Sequence, residues 1–309
     1  LIGCDGANSF VRKFINAKLI DFGFDQDWIV IDAHTTKQID ISKDEAKQIC
    51  DPNRLKTYVP GRRNHKRFEF KLLEGETKKD FTKNKVWELL SPWINKNNSK
   101  IERAVVYKFH ACIADKWRDK NIFIAGDAAH QMPPFLGAGM GTGIRDAFNL
   151  AWKIYLIIKG MAEENLLETY QQEREPHANW TIQQAKLIGE MMVQFSYREK
   201  GEKYVPSSKG YGEVFPHLTK GYYGDPSDGL IATPFCRFDL DHSGKDSDEY
   251  FGWNFGLITK KKLTKEIYLI LKQMNIKVLM IDHPKLKTYF KDANYLLIRP
   301  DKYLFSRSK

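Results

Sequence analysis

The sequence predicts an α/β chain carrying an α+β insert, and three observations predict it. Residues 122 to 160 read as a short buried strand, a glycine-rich loop and a long helix. Residues 20 to 115 change to strand-like segments, two of them with clear period-two alternation. Residues 230 to 309 alternate apolar strand-like runs with one amphipathic helix, which suits a further small α/β unit.

The chain opens on Leu1-Ile2-Gly3-Cys4-Asp5-Gly6-Ala7-Asn8-Ser9-Phe10-Val11-Arg12, without an initiator methionine, and the start reads as cut at the end of a strand. Asp5-Gly6 is a turn signal, and Asn8 or Ser9 suits the cap of a helix carrying Val11, Phe14 and Ile15. In the next region Trp28 to His34, Thr57 to Val59, Arg67 to Leu73 and Val105 to Phe109 read as strands. Gly61 to His65 supplies a hairpin turn, and Lys85 to Ile94 suits a helix ending near Pro92. The expected outcome is an antiparallel sheet inserted between two pieces of an α/β unit.

Ile122-Phe123-Ile124-Ala125 is a short apolar run suited to a strand buried on both faces, closed by Gly126 and Asp127. Pro133, Pro134 and the glycines Gly137, Gly139, Gly141 and Gly143 lead into a helical spacing of Ile144, Phe148, Ala151, Trp152, Tyr155 and Leu156 that Gly160 ends. Prolines fix the loop's course, glycines let a ligand approach bare backbone, and first-turn amides favour negative charge. The same residues suit an ordinary strand-to-helix connection, and chain physics alone leaves both open. A P-loop is excluded, since no Gly-Lys-Ser/Thr follows, and the alternating glycines never form G-x-G-x-x-G.

Beyond Gly160, Tyr170, Glu173-Arg174 and Pro176 precede a second helical segment with Trp180, Ile182, Ala185 and Ile188-Gly189; Pro176 either kinks one helix or starts the next. Residues 196 to 229 read as a long connection. In the last unit, residues 251–258, 278–281 and 295–303 read as strand-bearing runs around a helix near Ile267 to Met274.

Composition sets outer limits. A chain of 309 residues with 42% hydrophobic content can bury a sizeable core. The formal charge of +10 favours anionic ligands, but the basic residues are dispersed, and Lys78-Lys79 and Lys260-Lys261-Lys262 lack interleaved aromatics, so a nucleic-acid site is not expected. Cys4, Cys50, Cys112 and Cys236 are far apart with no CxxC spacing, which argues against zinc and disulfides and for a reducing, cytoplasmic compartment. No run has membrane length. Asp239-x-Asp241-x-Ser243-Gly244 copies the opening of a calcium loop, but its closing position falls on Tyr250, and no metal is expected there.

A resemblance becomes specific at Gly126-Asp127-Ala128-Ala129-His130, Pro133-Pro134, Gly137-x-Gly139-Met140 and Arg145-Asp146-x-x-Asn149-Leu150-x-Trp152-Lys153. These residues resemble the second FAD-binding motif of the single-component flavoprotein aromatic hydroxylases, the class A flavoprotein monooxygenases. Asp5, Gly6, Ser9 and Arg12 resemble the same family's Asp-Gly motif. The resemblance implies a partial FAD-binding Rossmann-like domain of the aromatic-hydroxylase type (1–19 and 116–195), an antiparallel-sheet substrate domain (20–115), a connection (196–229) and a small thioredoxin-like C-terminal domain without CxxC (230–309). The family's G-x-G-x-x-G loop lies upstream of its Asp-Gly motif, and these residues contain none.

Carried over residue by residue, the resemblance implies cofactor contacts at Asp5, Gly6, Arg12, Gly126, Asp127, Ala128, Ala129, His130, Pro134, Gly137, Gly139, Met140 and Gly141. Asp127 would hold the ribityl chain, and His130 would brace the proline loop rather than transfer protons. The Tyr170, Glu173-Arg174 and Pro176 phrase would pack its helix against the FAD domain. Gly23-Phe24-Asp25, Tyr58-Val59-Pro60-Gly61 and Asn64-His65-x-Arg67-x-Glu69-Phe70 are similar to the branch containing 3-(3-hydroxyphenyl)propionate and 3-hydroxycinnamate hydroxylases.

The implied reaction uses FAD and NAD(P)H: oxygen gives the flavin C4a-hydroperoxide, which attacks a phenolic ring ortho to its hydroxyl. Partners would be a small aromatic substrate and oxygen, with no nucleic acid and no membrane; a homodimer stays open. The inserted sheet would wall the pocket, with no substrate base readable. His34, His65 and His110 are expected as structural residues, and Arg62, Arg63 and Arg67 as solvated loop charges rather than carboxylate ligands. Two other readings stand beside this one: a silent fragment or half of a split flavoprotein, and a related FAD enzyme performing epoxidation or dehydrogenation.

Overall fold

The computed structural model describes residues 1–36, 41, 44–198, 218–225, 227–240 and 245–309. Strand β1 (Ile2–Gly3) leads through the Asp5-Gly6 turn to helix α1 (Phe10–Phe14), whose first turn is capped by the Ser9 hydroxyl, accepting from the Arg12 amide at 2.9 Å. Then come β2 (Leu19–Thr35), β3 (Lys47–Ile49), β4 (Lys56–Pro60), β5 (His65–Lys71), α2 (Lys83–Leu90) and β6 (Ser99–Ala114). The chain returns through β7 (Arg118–Asp119), β8 (Ile122–Ile124) and β9 (His130–Gln131) to the helices α3 (Gly139–Ile158) and α4 (Thr169–Arg198). The last unit holds α5 (Ser247–Phe251), β10 (Gly256–Thr259), α6 (Lys265–Gln273), β11 (Lys277–Met280), α7 (Lys287–Phe290), β12 (Tyr295–Ile298) and β13 (Leu304–Ser308).

The expected insert supplies five strands of a six-stranded antiparallel sheet in the order β3-β4-β5-β2-β6-β9, whose last strand, β9, comes from the segment that follows it. Alternation divides it into two faces. Ile29, Ile31 and Ala33 of β2 and Phe68 and Phe70 of β5 pack on Val86 and Leu90 of α2, each such large apolar side chain contributing about 1.5–3 kcal/mol. The opposite face carries Trp28, Val30 and Asp32, paired across to Lys71, Glu69 and Arg67.

Around the ends of this insert lies a three-stranded sheet in which β1 and β8 are parallel, with Ile2 opposite Phe123 and Gly3 opposite Ile124. The C-terminal unit is a four-stranded mixed sheet, β11-β10-β12-β13, over a core of Phe238, Phe251, Ile258, Phe290 and Leu296. Pro176 lies inside one continuous helix, α4, so the two helical segments read from the sequence are a single element. The connection read over 196–229 and the calcium-like run at Asp241 to Gly244 fall largely outside the described residues. Among the described residues no helix is long and apolar enough to cross a membrane.

Candidate functional site

Because β1 and β8 are adjacent and parallel, the two loops that follow them leave from the same end of the sheet, the crevice side in open α/β folds. Asp5 organises its own turn, accepting from the Ser9 hydroxyl at 2.5 Å and the Val11 amide at 3.1 Å; these bonds, the Ser9 bond foremost, hold its carboxyl below the usual range. Arg12 is buried and joins the two loops, donating to the carbonyls of Ala7 at 2.6 Å and Ala128 at 2.9 Å. Gln131 adds a bond to the Ala7 carbonyl at 3.2 Å.

Behind the second loop sits Asp146 of α3, wholly buried. It accepts from the Gly126 amide at 3.1 Å, meets His130 Nε2 at 2.7 Å and accepts from Arg174 Nε of α4 at 2.9 Å. Burial pushes its pKa up, but His130 and Arg174 outweigh that and leave it lowered. Gly126 is held at φ +61°, and Gly143 of the helix's first turn comes so close that a Cβ there would lie 3.2 Å from the Gly126 Cα. His130, Gly126 and α3 are thereby one rigid body, with the His130 ring buried behind the loop.

The outer side of this body is bare backbone. Asp127 is exposed, and among the described residues its carboxylate has no hydrogen-bond or ion-pair partner. Pro134 and Met140 are exposed, Gly137 turns the chain at φ +63°, and no side-chain cap covers the first amides of the α3 helix. A Cβ at Gly137 would meet nothing within 4 Å, and at Gly139 and Gly141 only side-chain atoms at 3.8 and 3.5 Å. Asp5, Gly6, Asp127, Pro134, Gly137, Gly139, Met140 and Gly141 thus line one accessible rim. Arg12, Ala128, Ala129 and His130 lie beneath it, buried.

The polar face of the inserted sheet meets this rim through Phe135, which packs against Trp28 at 5.3 Å, Phe109 at 6.0 Å and Phe24 at 6.1 Å between ring centroids. Gln48 of β3 donates to the Phe135 carbonyl at 3.0 Å. Gly189 of α4 admits these rings: a Cβ would lie 2.7 Å from Phe135 and 2.8 Å from Phe24. Gly189→Ala is expected to cost about 1–3 kcal/mol in denaturant unfolding, with the proline loop displaced.

Farther out, Arg67 is a strand residue rather than a loop charge, since the strand runs through it: its guanidinium pairs with buried Asp32 at 2.8 Å, joined by Arg103 at 2.5 Å. His34 pairs with Glu102 at 2.9 Å and His110 with Asp25 at 2.6 Å, both pairs accessible to solvent. Arg62 and Arg63 are exposed in the hairpin turn.

A second buried ionic cluster, which sequence reasoning missed, joins α3, α4 and the C-terminal unit. Glu173 receives Lys153 Nζ at 2.9 Å, Arg299 Nη2 at 2.7 Å, Asn149 Nδ2 at 2.5 Å and the Tyr222 amide at 2.8 Å. Arg299 also holds Asp301 at 2.6 Å. The signal was present in the Glu173 and Arg299-Pro300-Asp301 phrases, but the partners lie 126 residues apart.

The chain belongs to the FAD binding domain family, which matches residues 1–185. It is 39% identical over 195 residues to a probable NADH-specific resorcinol 4-hydroxylase of Rhodococcus jostii, covering 62% of this chain and 36% of that protein. It is 38% identical over 197 residues to the 3-(3-hydroxy-phenyl)propionate/3-hydroxycinnamic acid hydroxylase of Escherichia coli, covering 62% of this chain and 35% of that protein. The chain thus spans well under two thirds of these relatives. Its fold matches that of aklavinone-11 hydroxylase, solved in a ternary complex with FAD and aklavinone, with a TM-score of 0.72, 20% identity, and coverage of 100% of this chain and 64% of that one.

The residues present fit the family's cofactor. A flavin has hydroxyls for the unengaged Asp127 carboxylate, an anionic reduced form for the uncapped helix amides, and a flat ring for a ledge where Gly137, Gly139 and Gly141 carry no Cβ.

Proposed function

We propose that the protein containing this chain is an FAD- and NAD(P)H-dependent monooxygenase that hydroxylates a phenolic aromatic acid such as 3-(3-hydroxyphenyl)propionate ortho to its hydroxyl. The observation that carries this reading is the exposed rim of Asp127 and the Pro134–Gly141 backbone facing an aromatic-lined sheet, in a family whose cofactor is FAD. Flavin chemistry supplies oxygen activation when the cofactor is bound. Asp127 accepts hydrogen bonds from the cofactor's hydroxyls, the α3 amides balance its charge, and Arg12 and Asp146 hold the two loops together. Trp28, Phe109 and Phe135, packed on one another, would present an apolar surface to the bound ring and exclude water there.

The test is product analysis of the full-length protein with 3-(3-hydroxyphenyl)propionate, NADH and oxygen; NADH oxidation without a catechol product counts against hydroxylation. Asp127→Ala should weaken FAD retention about 10- to 100-fold, the worth of a charge-assisted hydrogen bond, as measured by flavin absorbance after dialysis. Unchanged flavin content would remove Asp127 from the site.

A further inference from the structure

We propose that Glu69, with Thr57 beside it, receives the phenolic hydroxyl of the aromatic substrate and accepts its proton. This deepens the hydroxylase reading above and rests on it.

The placement follows from strand register. Gln48 of β3 stands opposite Thr57 of β4, Thr57 opposite Glu69 of β5, and Glu69 opposite Val30 of β2. These residues form one row across the polar face of the sheet, with about 4.8 Å between neighbouring strands. Gln48, at one end of the row, is bonded to the Phe135 carbonyl of the proline loop at 3.0 Å. Trp28, two residues before Val30 on the same face, packs on the Phe135 ring. Glu69 and Thr57 therefore sit within one or two strand spacings of the residues that touch the candidate flavin rim.

Both residues are buried. Thr57 is 7% exposed and Glu69 is 5% exposed. The Thr57 hydroxyl has no partner, and among the described residues the Glu69 carboxyl makes no hydrogen bond. Buried polar groups are nearly always paired, so the Thr57 hydroxyl calls for a partner, and the Glu69 carboxyl in direct cross-strand register has free acceptor capacity beside it; one ligand group can pair both. A phenolic hydroxyl does so, donating to the carboxylate and accepting from the threonine hydroxyl.

The charged groups around Glu69 are Arg67 and Lys71 on β5, Asp32 on β2 and Arg103 on β6. Arg67 and Arg103 are already engaged by Asp32. Burial raises the Glu69 pKa to about 7, with Arg67 opposing and Asp32 adding to the shift. A carboxyl so poised is ionised or protonated with little cost near neutral pH, as an efficient general base requires. In the step itself the phenolic O–H bond breaks, the proton goes to a Glu69 carboxylate oxygen, and the electron pair stays on the phenolic oxygen, enriching the ortho carbon.

The experiment uses FAD-loaded full-length protein, resorcinol as the probe and its dimethyl ether as the comparator, with binding followed by perturbation of flavin absorbance between pH 6 and 8. If only the ionised carboxylate receives the phenol, resorcinol affinity should rise about 10-fold over that range, and Glu69→Gln should flatten it. The ether should show no pH dependence in either protein. Glu69→Gln should also lower hydroxylated product per NADH about 100-fold, and Glu69→Asp should restore part of both properties. Thr57→Val, which leaves the carboxyl intact, should weaken resorcinol about 3- to 10-fold. A yellow Glu69→Gln protein with the wild-type pH dependence overturns the role of Glu69 and leaves the hydroxylase reading standing. A wild-type protein that takes up no FAD overturns both.

Discussion

Replacing Asp146 with alanine should lower stability by about 3–5 kcal/mol, enough to abolish folding in a marginally stable domain. The carboxylate is fully buried and is the shared partner of His130 and Arg174, both also buried. The two terminal guanidinium nitrogens of Arg174 find no other partner, so the variant strands an uncompensated cation in the interior. It also releases the Gly126 amide, which Asp146 fixes at the start of the candidate flavin loop. Denaturant midpoints should fall with and without FAD, because the cluster lies beneath the rim. A drop seen only with FAD present would show that Asp146 acts on the cofactor and not on the fold.

Glu173→Gln should be nearly as damaging, about 3–5 kcal/mol, because in a wholly buried site it takes from Lys153 its counter-ion and leaves Arg299 with Asp301 alone. Burial opposes ionisation of Glu173, but Arg299 and Lys153 overcome it and bring its pKa down from 4.5 to about 2. Lys153 shares that carboxylate with Arg299, so burial dominates and its pKa falls to about 8. A depressed carboxylate stabilises the fold fully above its unfolded pKa of 4.5 and loses that contribution as pH falls towards 2, here about 3 kcal/mol. Acid unfolding should therefore steepen between those values and lose that component in the variant. The fourfold change Glu173→Leu, Lys153→Met, Arg299→Met, Asp301→Asn should be less damaging than Glu173→Gln alone, since it removes every charge of the cluster, the Asp301 partner of Arg299 included, instead of stranding any. Equal or greater loss in the fourfold variant would contradict this account.

Alternation made the inserted sheet readable: Phe68 and Phe70 against Arg67, Glu69 and Lys71 announce two faces. What alternation could not show is that the polar face is covered as well, because the cover is supplied by Phe135 and α4, far away in the chain. Glu69 lies within one of the family-like phrases, and nothing local in that phrase reports its burial. The strand, glycine loop and helix at Ile122 to Ile158 were legible for the opposite reason, since every signal there is local. Pro176 read as either a kink in one helix or the start of the next, and it lies inside one; the burial of Glu173, Arg174 and Ile182 on either side carries α4 through it. The roles of Asp146 and Glu173 depend on partners 16 to 126 residues away, and no periodicity reports such pairing.

The parallel pairing of β1 with β8 spans about 120 residues, and its consequence is kinetic. A flexible loop of that length would pay a closure penalty before any native contact rewarded it. Leu19 and Ala114 are paired at the base of the insert, so once β2 and β6 zip together, the two distant segments are delivered to each other almost free of that penalty. Amide protection during refolding should appear in β2, β5 and β6 before it appears at Gly3 and Ile124, making formation of the crevice the late event.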